Sequence, residues 1–284
     1  MNSYPCLIKK HVLYRNSVQS QSNIFIKNQK HTNVPKFGTK RRSSMKTIVV
    51  GNLKGGVGKT TVTVNLAYSL AILGNKVLVI DLDPQCNCTR YFAKVSQSGY
   101  TVQDLLHVPE RINQVIYRTK YQKIDVIRGD AELTCCDQSS LSKAFQKLKK
   151  VYDYCIIDTR PVFDILTQNA VEVADLLLTP IKFDNYCRDN LALVEHVYEN
   201  FIENTDHFKW KICANMVANT KAQRSTMQDL LEKHMYPILD TCISRSAVVD
   251  NALLQYKPVL RHRKHSTVAE DFLELAKELI AEWR

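Results

Sequence analysis

Residues 46–61 read Lys-Thr-Ile-Val-Val-Gly-Asn-Leu-Lys-Gly-Gly-Val-Gly-Lys-Thr-Thr, an apolar run, a glycine-rich turn and the opening of a helical pattern. A buried strand feeding such a turn and a helix is the first unit of a layered α/β protein. Glycines 55, 56 and 58 let successive backbone N–H groups face an anion without a Cβ in the way. The helix after the turn adds its N-terminal dipole. Lys59 then supplies a point charge for the β/γ-phosphates of a nucleotide, and the Thr60 hydroxyl is placed to ligate Mg2+. The expected cradle runs through Lys54, Gly55, Gly56, Val57, Gly58, Lys59, Thr60 and Thr61.

Outward from this turn, short apolar runs alternate with helical patterns. That alternation predicts an α/β fold with a mostly parallel, twisted sheet and helices on both faces. Strands are expected at Thr47–Gly51, Lys76–Leu82, Ile124–Ile127, Tyr154–Asp158, Leu176–Pro180 and Lys211–Asn215. Their Val, Ile and Leu content is nearly continuous, as in strands covered on both sides. Helices are expected near 60–73, 138–150, 164–174, 187–202 and 222–234. Near the C-terminus, Val268, Phe272, Leu275, Ala276, Leu279, Ile280 and Trp283 form one apolar stripe at helical spacing. No repeat or low-complexity linker comes after Met45, so 45–284 reads as a single domain.

The chain has 284 residues, 45% of them apolar, enough to bury a sizeable core. No run approaches the ~18 apolar residues of a membrane-spanning helix. Its nine cysteines are odd in number and scattered, without a C-x-x-C pair, which favours reduced thiols and a cytoplasmic setting. The net charge of +11 is concentrated at the front. Residues 1–44 hold nine Lys/Arg and no acid, leaving 30 basic against 28 acidic groups in 45–284. Three readings of this segment stand: an unstructured extension or an upstream start codon included in error, a DNA-seeking arm, and an organellar transit peptide. Met45, directly before the first strand, favours the first.

The usual phosphate-loop pattern has glycine where Leu53 stands, and a second lysine, Lys54, opens the Lys-Gly-Gly-Val-Gly-Lys-Thr run. In this the segment resembles the deviant Walker A motif of the ParA/MinD group of P-loop ATPases, nearest to Soj-like ParA partition proteins. Val77–Gln85, Val-Leu-Val-Ile-Asp-Leu-Asp-Pro-Gln, is similar to the ParA Asp-x-Asp-Pro-Gln segment. Tyr152–Pro161 resembles a Walker B strand ending in a carboxylate, and Thr241–Lys257 looks like the ParA segment that closes over the base. The resemblance covers most of 45–284 and implies a P-loop NTPase fold with ATP and Mg2+ as cofactors. It further implies that Lys54 reaches the phosphates of a second subunit, that Asp83 orients the attacking water beside Asp81, and that Asp158 holds Mg2+ through water. Asn215 would contact adenine, or be an ordinary strand-end turn residue. Without the resemblance, Asp81 and Asp83 read as a turn-forming pair and Asp158 as a strand-end cap. Two departures bear on the dimer face or base pocket: Arg160-Pro161 replaces the usual Pro-Pro, and Ser244 replaces the proline of an Ile-Pro-Arg turn.

Such a fold hosts different tasks. The first expectation is an ATPase for plasmid or chromosome partition. Its ATP-bound homodimer would coat double-stranded DNA without sequence preference, nucleoid-associated in the cytoplasm. A ParB-like partner would stimulate hydrolysis and release. Non-specific binding needs Lys/Arg to neutralise phosphates, and Arg245, Arg261, Arg263 and Lys264 are the candidates, with a solvated loop as the plain alternative. The second expectation is a MinD-like or adaptor ATPase acting on a membrane or a protein complex. Residues 269–284, with five acids and two bases, would repel anionic lipid, so no stable membrane association is expected. A third class, the iron–sulfur relatives, needs cysteines converging at a dimer axis, and the spacing of Cys86, Cys88, Cys135 and Cys136 is not distinctive.

Overall fold

The computed structural model describes residues 45–283 apart from 95–97, 135, 204–207, 219 and 233–235. The basic segment 1–44, with its three readings, lies outside the described residues. Eight strands among the described residues form one sheet: β1 (Lys46–Val50), β2 (Val77–Leu82), β3 (Ile116–Arg118), β4 (Ile124–Ile127), β5 (Tyr154–Thr159), β6 (Leu176–Lys182), β7 (Lys209–Val217) and β8 (Ile238–Ser244). Their order is β3-β4-β2-β5-β1-β6-β7-β8, parallel throughout except for the β3–β4 pair. All six expected strands are present. The two that were not expected are the edges, three-residue β3 and the outer strand β8.

Successive residues of a strand point to opposite faces, so a sheet covered twice needs apolar side chains at both parities. All six residues of β2 are buried for that reason. On one face Leu78, Ile80, Cys155, Ile157 and Leu177 pack beneath α3 (Val102–His107), α4 (Ser140–Gln146), α5 (Ile165–Glu172) and α6 (Cys187–Glu203). On the other, Ile48, Val50, Val79, Ile156 and Leu178 pack beneath α1 (Lys59–Ile72) and α10 (Thr267–Ala281). Each fully buried Leu or Ile contributes about 1.5–3 kcal/mol relative to exposure. The remaining α-helices among the described residues are α2 (Thr89–Phe92), α7 (Lys221–Glu232), α8 (Ala247–Leu254) and α9 (Val259–His262).

The α10 stripe faces this core. Val268, Phe272, Leu275, Ala276 and Leu279 are buried, and Ile280 and Trp283 pack against the same cluster. The polar side of α10 also has a task. The register of β7 against β8 slips between Ile212 and Ala214, which frees β8 N–H groups from the ladder. Glu278 accepts from Asp240 N–H at 2.7 Å and Thr241 N–H at 2.9 Å, and Asp271 accepts from Ser244 N–H at 2.9 Å. Ser244, where the resembling family has proline, thus provides a donor that proline lacks.

Candidate functional site

The C-terminal ends of the central strands converge on one crevice, the usual ligand position in an open parallel sheet. The turn after β1 enters α1 through Gly56 at φ +71° and Gly58 at φ +88°, left-handed conformations that glycine adopts without a Cβ clash. An added Cβ at Gly55 or Gly56 would meet no atom within 4 Å, so both border open space. No side chain caps the N-terminus of α1, whose first-turn N–H groups have no carbonyl behind them within the helix. The result is an anion cradle backed by a fourteen-residue helix.

Lys59 is buried, with Nζ 3.2 Å from the Lys54 carbonyl oxygen. Burial lowers its pKa, while the charges of Asp158 and Asp83 act in the opposite sense. The Thr60 hydroxyl donates to Asp158 Oδ2 at 2.7 Å and Thr63 to Oδ1 at 3.0 Å. Asp158, the penultimate residue of β5, lies directly beside Asp81 on β2, and both carboxylates are fully buried. Burial, and for Asp158 also the charge of Asp81, holds both well above the usual carboxylate range. A hydroxyl and a carboxylate in surplus negative field form a hard oxygen donor set that fits Mg2+. Thr60 and Asp158 would hold the ion, which would neutralise charge on the phosphates.

Asp81 has a different part from its neighbour. Its Oδ2 accepts from Thr89 N at 2.8 Å and Thr89 Oγ1 at 2.7 Å, and its Oδ1 from Asp83 N at 3.2 Å. The Thr89 hydroxyl in turn accepts from Gly129 N at 2.8 Å. Asp81 is therefore a buried bracket for the loop 83–88, and Asp83 stands partly exposed at the crevice with Oδ1 taking the Gln85 N–H at 2.9 Å.

The Lys54 ammonium is held by a carboxylate from a distant segment. Its Nζ lies 2.8 and 2.6 Å from the two oxygens of Asp184 and 5.5 Å from the Tyr186 ring centre. Burial would raise the Asp184 carboxyl, but hydrogen bonds from Lys54 and the Tyr186 N–H hold it below its ordinary value. Asn215, near the end of β7, is buried and donates Nδ2 to the Val57 carbonyl at 2.8 Å. It braces the phosphate turn from below, whatever contact it makes with a base. Arg160 pairs with Asp164, the N-cap of α5, so this departure from Pro-Pro secures a helix start.

The basic candidates separate. Arg245 comes directly after β8 at one edge of the sheet, whereas Arg261 lies on α9 with Arg263 and Lys264 just beyond it, all exposed. Among the described residues seven cysteines are free thiols, and no three His, Cys, Asp or Glu side chains gather as a metal site. No helix among them is long and apolar enough to cross a membrane.

A family model described as an AAA domain matches residues 45–212, more than half of the chain. The sporulation initiation inhibitor protein Soj of Bacillus subtilis is 31% identical over 254 residues, covering 83% of this chain and 98% of Soj. The chain is a ParA/MinD-type P-loop ATPase. ATP and Mg2+ are its cofactors, as the cradle and the Thr60–Asp158 pair require. A virulence plasmid ParA family protein of Chlamydia psittaci is 30% identical over 83% of this chain and 94% of its own length. Solved structures share the fold at lower identity. Apo McdA of Cyanothece superposes with a TM-score of 0.73 at 22% identity, over 83% of this chain and 99% of its own. A putative plasmid partition protein of Borrelia burgdorferi bound to AMPPNP gives 0.70 at 20%, over 84% and 100%. MinD of Pyrococcus horikoshii with Mg-ADP gives 0.66 at 22%, over 83% and 96%.

Three positions in this ATPase site lie outside the expectations drawn from sequence. Thr63, one helical turn after Thr60, is legible in principle from its i+3 spacing on α1. Thr89 and Asp184 are not, because they reach Asp81 and Lys54 only through the fold.

Proposed function

We propose that this ParA/MinD-type ATPase partitions DNA. In this reading 45–284 is one ATPase domain that pairs with a second copy when Mg-ATP is bound. The pair coats duplex DNA without sequence preference, nucleoid-associated in the cytoplasm, and a ParB-like partner on a plasmid or chromosome triggers hydrolysis and release. The observation that carries it is the Lys54 ammonium, held by Asp184 rather than by its own phosphate turn. A cation at that rim can complete the phosphate site of a facing copy, as an arginine finger does in other NTPases. Lys59 binds the phosphates in cis, Thr60 and Asp158 hold the metal, and Asp83 orients the attacking water. The burial of the α10 stripe supports DNA over a lipid surface, because that helix has no apolar face left to insert. A relative named chromosome partitioning protein ParA, from Caulobacter vibrioides and 28% identical over 84% of this chain, supports the reading.

The test is co-sedimentation of the full chain and of Asp83→Ala with a long duplex, in ATP, in ADP and without nucleotide. Binding by the wild type should need ATP, and Asp83→Ala should stay on the duplex as an undissociated dimer. An Asp83→Ala chain that binds ATP yet ignores DNA overturns the reading.

A further inference from the structure

Tyr121, in the turn between β3 and β4, is where three distant segments meet. Its ring packs edge-on against Tyr68 of α1 at 5.2 Å and Phe92 of α2 at 6.0 Å. Lys120 Nζ stands over the same ring, 5.2 Å from its centre. Burial pushes the Tyr121 phenol up to about 12, and the guanidinium of Arg261 on α9 is near enough to oppose that rise. Lys123, two residues on, reaches the Gly74 carbonyl at 2.7 Å just past α1. Lys120, Lys123 and Arg261 are all exposed, and among the described residues none of them is held in an ion pair.

The sequence composition of these segments is lopsided. Residues 84–103, 112–124 and 251–269 contain nine Lys/Arg and no Asp or Glu. The rest of 45–284 holds 21 basic and 28 acidic groups, so this one region is positive on an otherwise acidic body. A solvated face would mix signs, whereas an acid-free basic face suits a polyanion.

We propose that the β3–β4 turn is part of the duplex-DNA surface, with Lys120 and Lys123 joining Arg261 to neutralise backbone phosphates. This rests on the DNA reading above and adds a contact region that the C-terminal basic cluster alone does not contain. It also leaves Arg245 out, because the end of β8 lies at the opposite edge of the sheet, seven strand spacings or roughly 30 Å away. The surface is tied to the nucleotide as well. Helix α2, which carries Phe92, begins at Thr89, the residue that Asp81 holds.

The experiment measures duplex affinity of the full chain by fluorescence anisotropy in Mg-ATP, from 50 to 300 mM salt, for wild type, Lys120→Ala/Lys123→Ala, Lys120→Arg/Lys123→Arg and Arg245→Ala. Each lost phosphate contact should cut the slope of log affinity against log salt by about 0.9, so the double alanine variant should lose about 1.8. At 0.1 M salt its affinity should fall on the order of 50-fold. The double arginine variant and Arg245→Ala should track the wild type. ATP turnover without DNA should be unchanged in all four chains, which separates lost contacts from misfolding. An alanine variant with wild-type slope and affinity overturns the surface and leaves the DNA reading standing. A wild type that binds no duplex overturns the DNA reading itself. Charge-dependent capture by phosphatidylglycerol vesicles without duplex binding reassigns the surface to lipid and overturns both.

Discussion

Before Lys54 can serve a facing subunit it must leave Asp184. The two side chains are 29% and 30% exposed, so the pair is a partly solvated one despite its short contacts. Such pairs contribute about 0.2–1 kcal/mol, and ~0.7 kcal/mol suits a two-oxygen contact. The neighbouring Tyr186 ring is kept when Asp184→Asn is made, so only the ionic part is removed. A dimer releases two such pairs, roughly 1.4 kcal/mol, which is about tenfold in a dissociation constant. Asp184→Asn should therefore tighten the Mg-ATP dimer about tenfold, measured by sedimentation velocity in the Asp83→Ala background, where the proposed role of Asp83 predicts that nucleotide is not consumed. In a Lys54→Ala background the same substitution should change nothing, which isolates the pair. A dissociation constant that stays the same or rises in Asp184→Asn refutes the idea that the cis pair competes with a trans one.

Asp158 and Asp81 hold their protons more tightly folded than unfolded, so raising the pH favours unfolding from the ordinary carboxylate range up towards neutrality. In urea unfolding without nucleotide or metal, Asp158→Asn should flatten that fall in midpoints between about pH 5 and 8, and with Mg-ATP supplied the same variant should lose turnover; an unflattened profile counts against the buried-pair account. Ser244→Pro removes the N–H that Asp271 accepts and leaves a partly buried carboxylate under-satisfied, so unfolding free energy should drop by about 1–3 kcal/mol. A wild-type urea midpoint for that variant means the bond contributes nothing.

The fold is legible in the sequence wherever burial on both faces imposes long apolar runs, as in β2 and β5. It is illegible at the edges. β3 is three residues with none fully buried, and β8 mixes buried and exposed positions because its outer side meets α10 rather than another strand. The short helix α3 does carry a local signal, a capping box from Thr101 to Asp104. In the site, the phosphate turn is readable because its residues are consecutive and two of its glycines take left-handed backbone that other residues rarely adopt. The resemblance implies a trans role for Lys54, but its resting partner Asp184 lies 130 residues away and no local pattern joins them. Asn215 shows the same limit: the spacing places it at a strand end, yet only the three-dimensional packing brings its amide under Val57.

The carboxylates of Asp271 and Glu278 on the outer border of β8 also protect the protein when it is crowded. An open strand border invites another chain to continue the sheet, and charged groups seated on its amides discourage that. Here three of those amides are already taken, and the opposite border ends in a stub too short to template anything. Molecules pressed together at high concentration can thus sit side by side without knitting into fibrils.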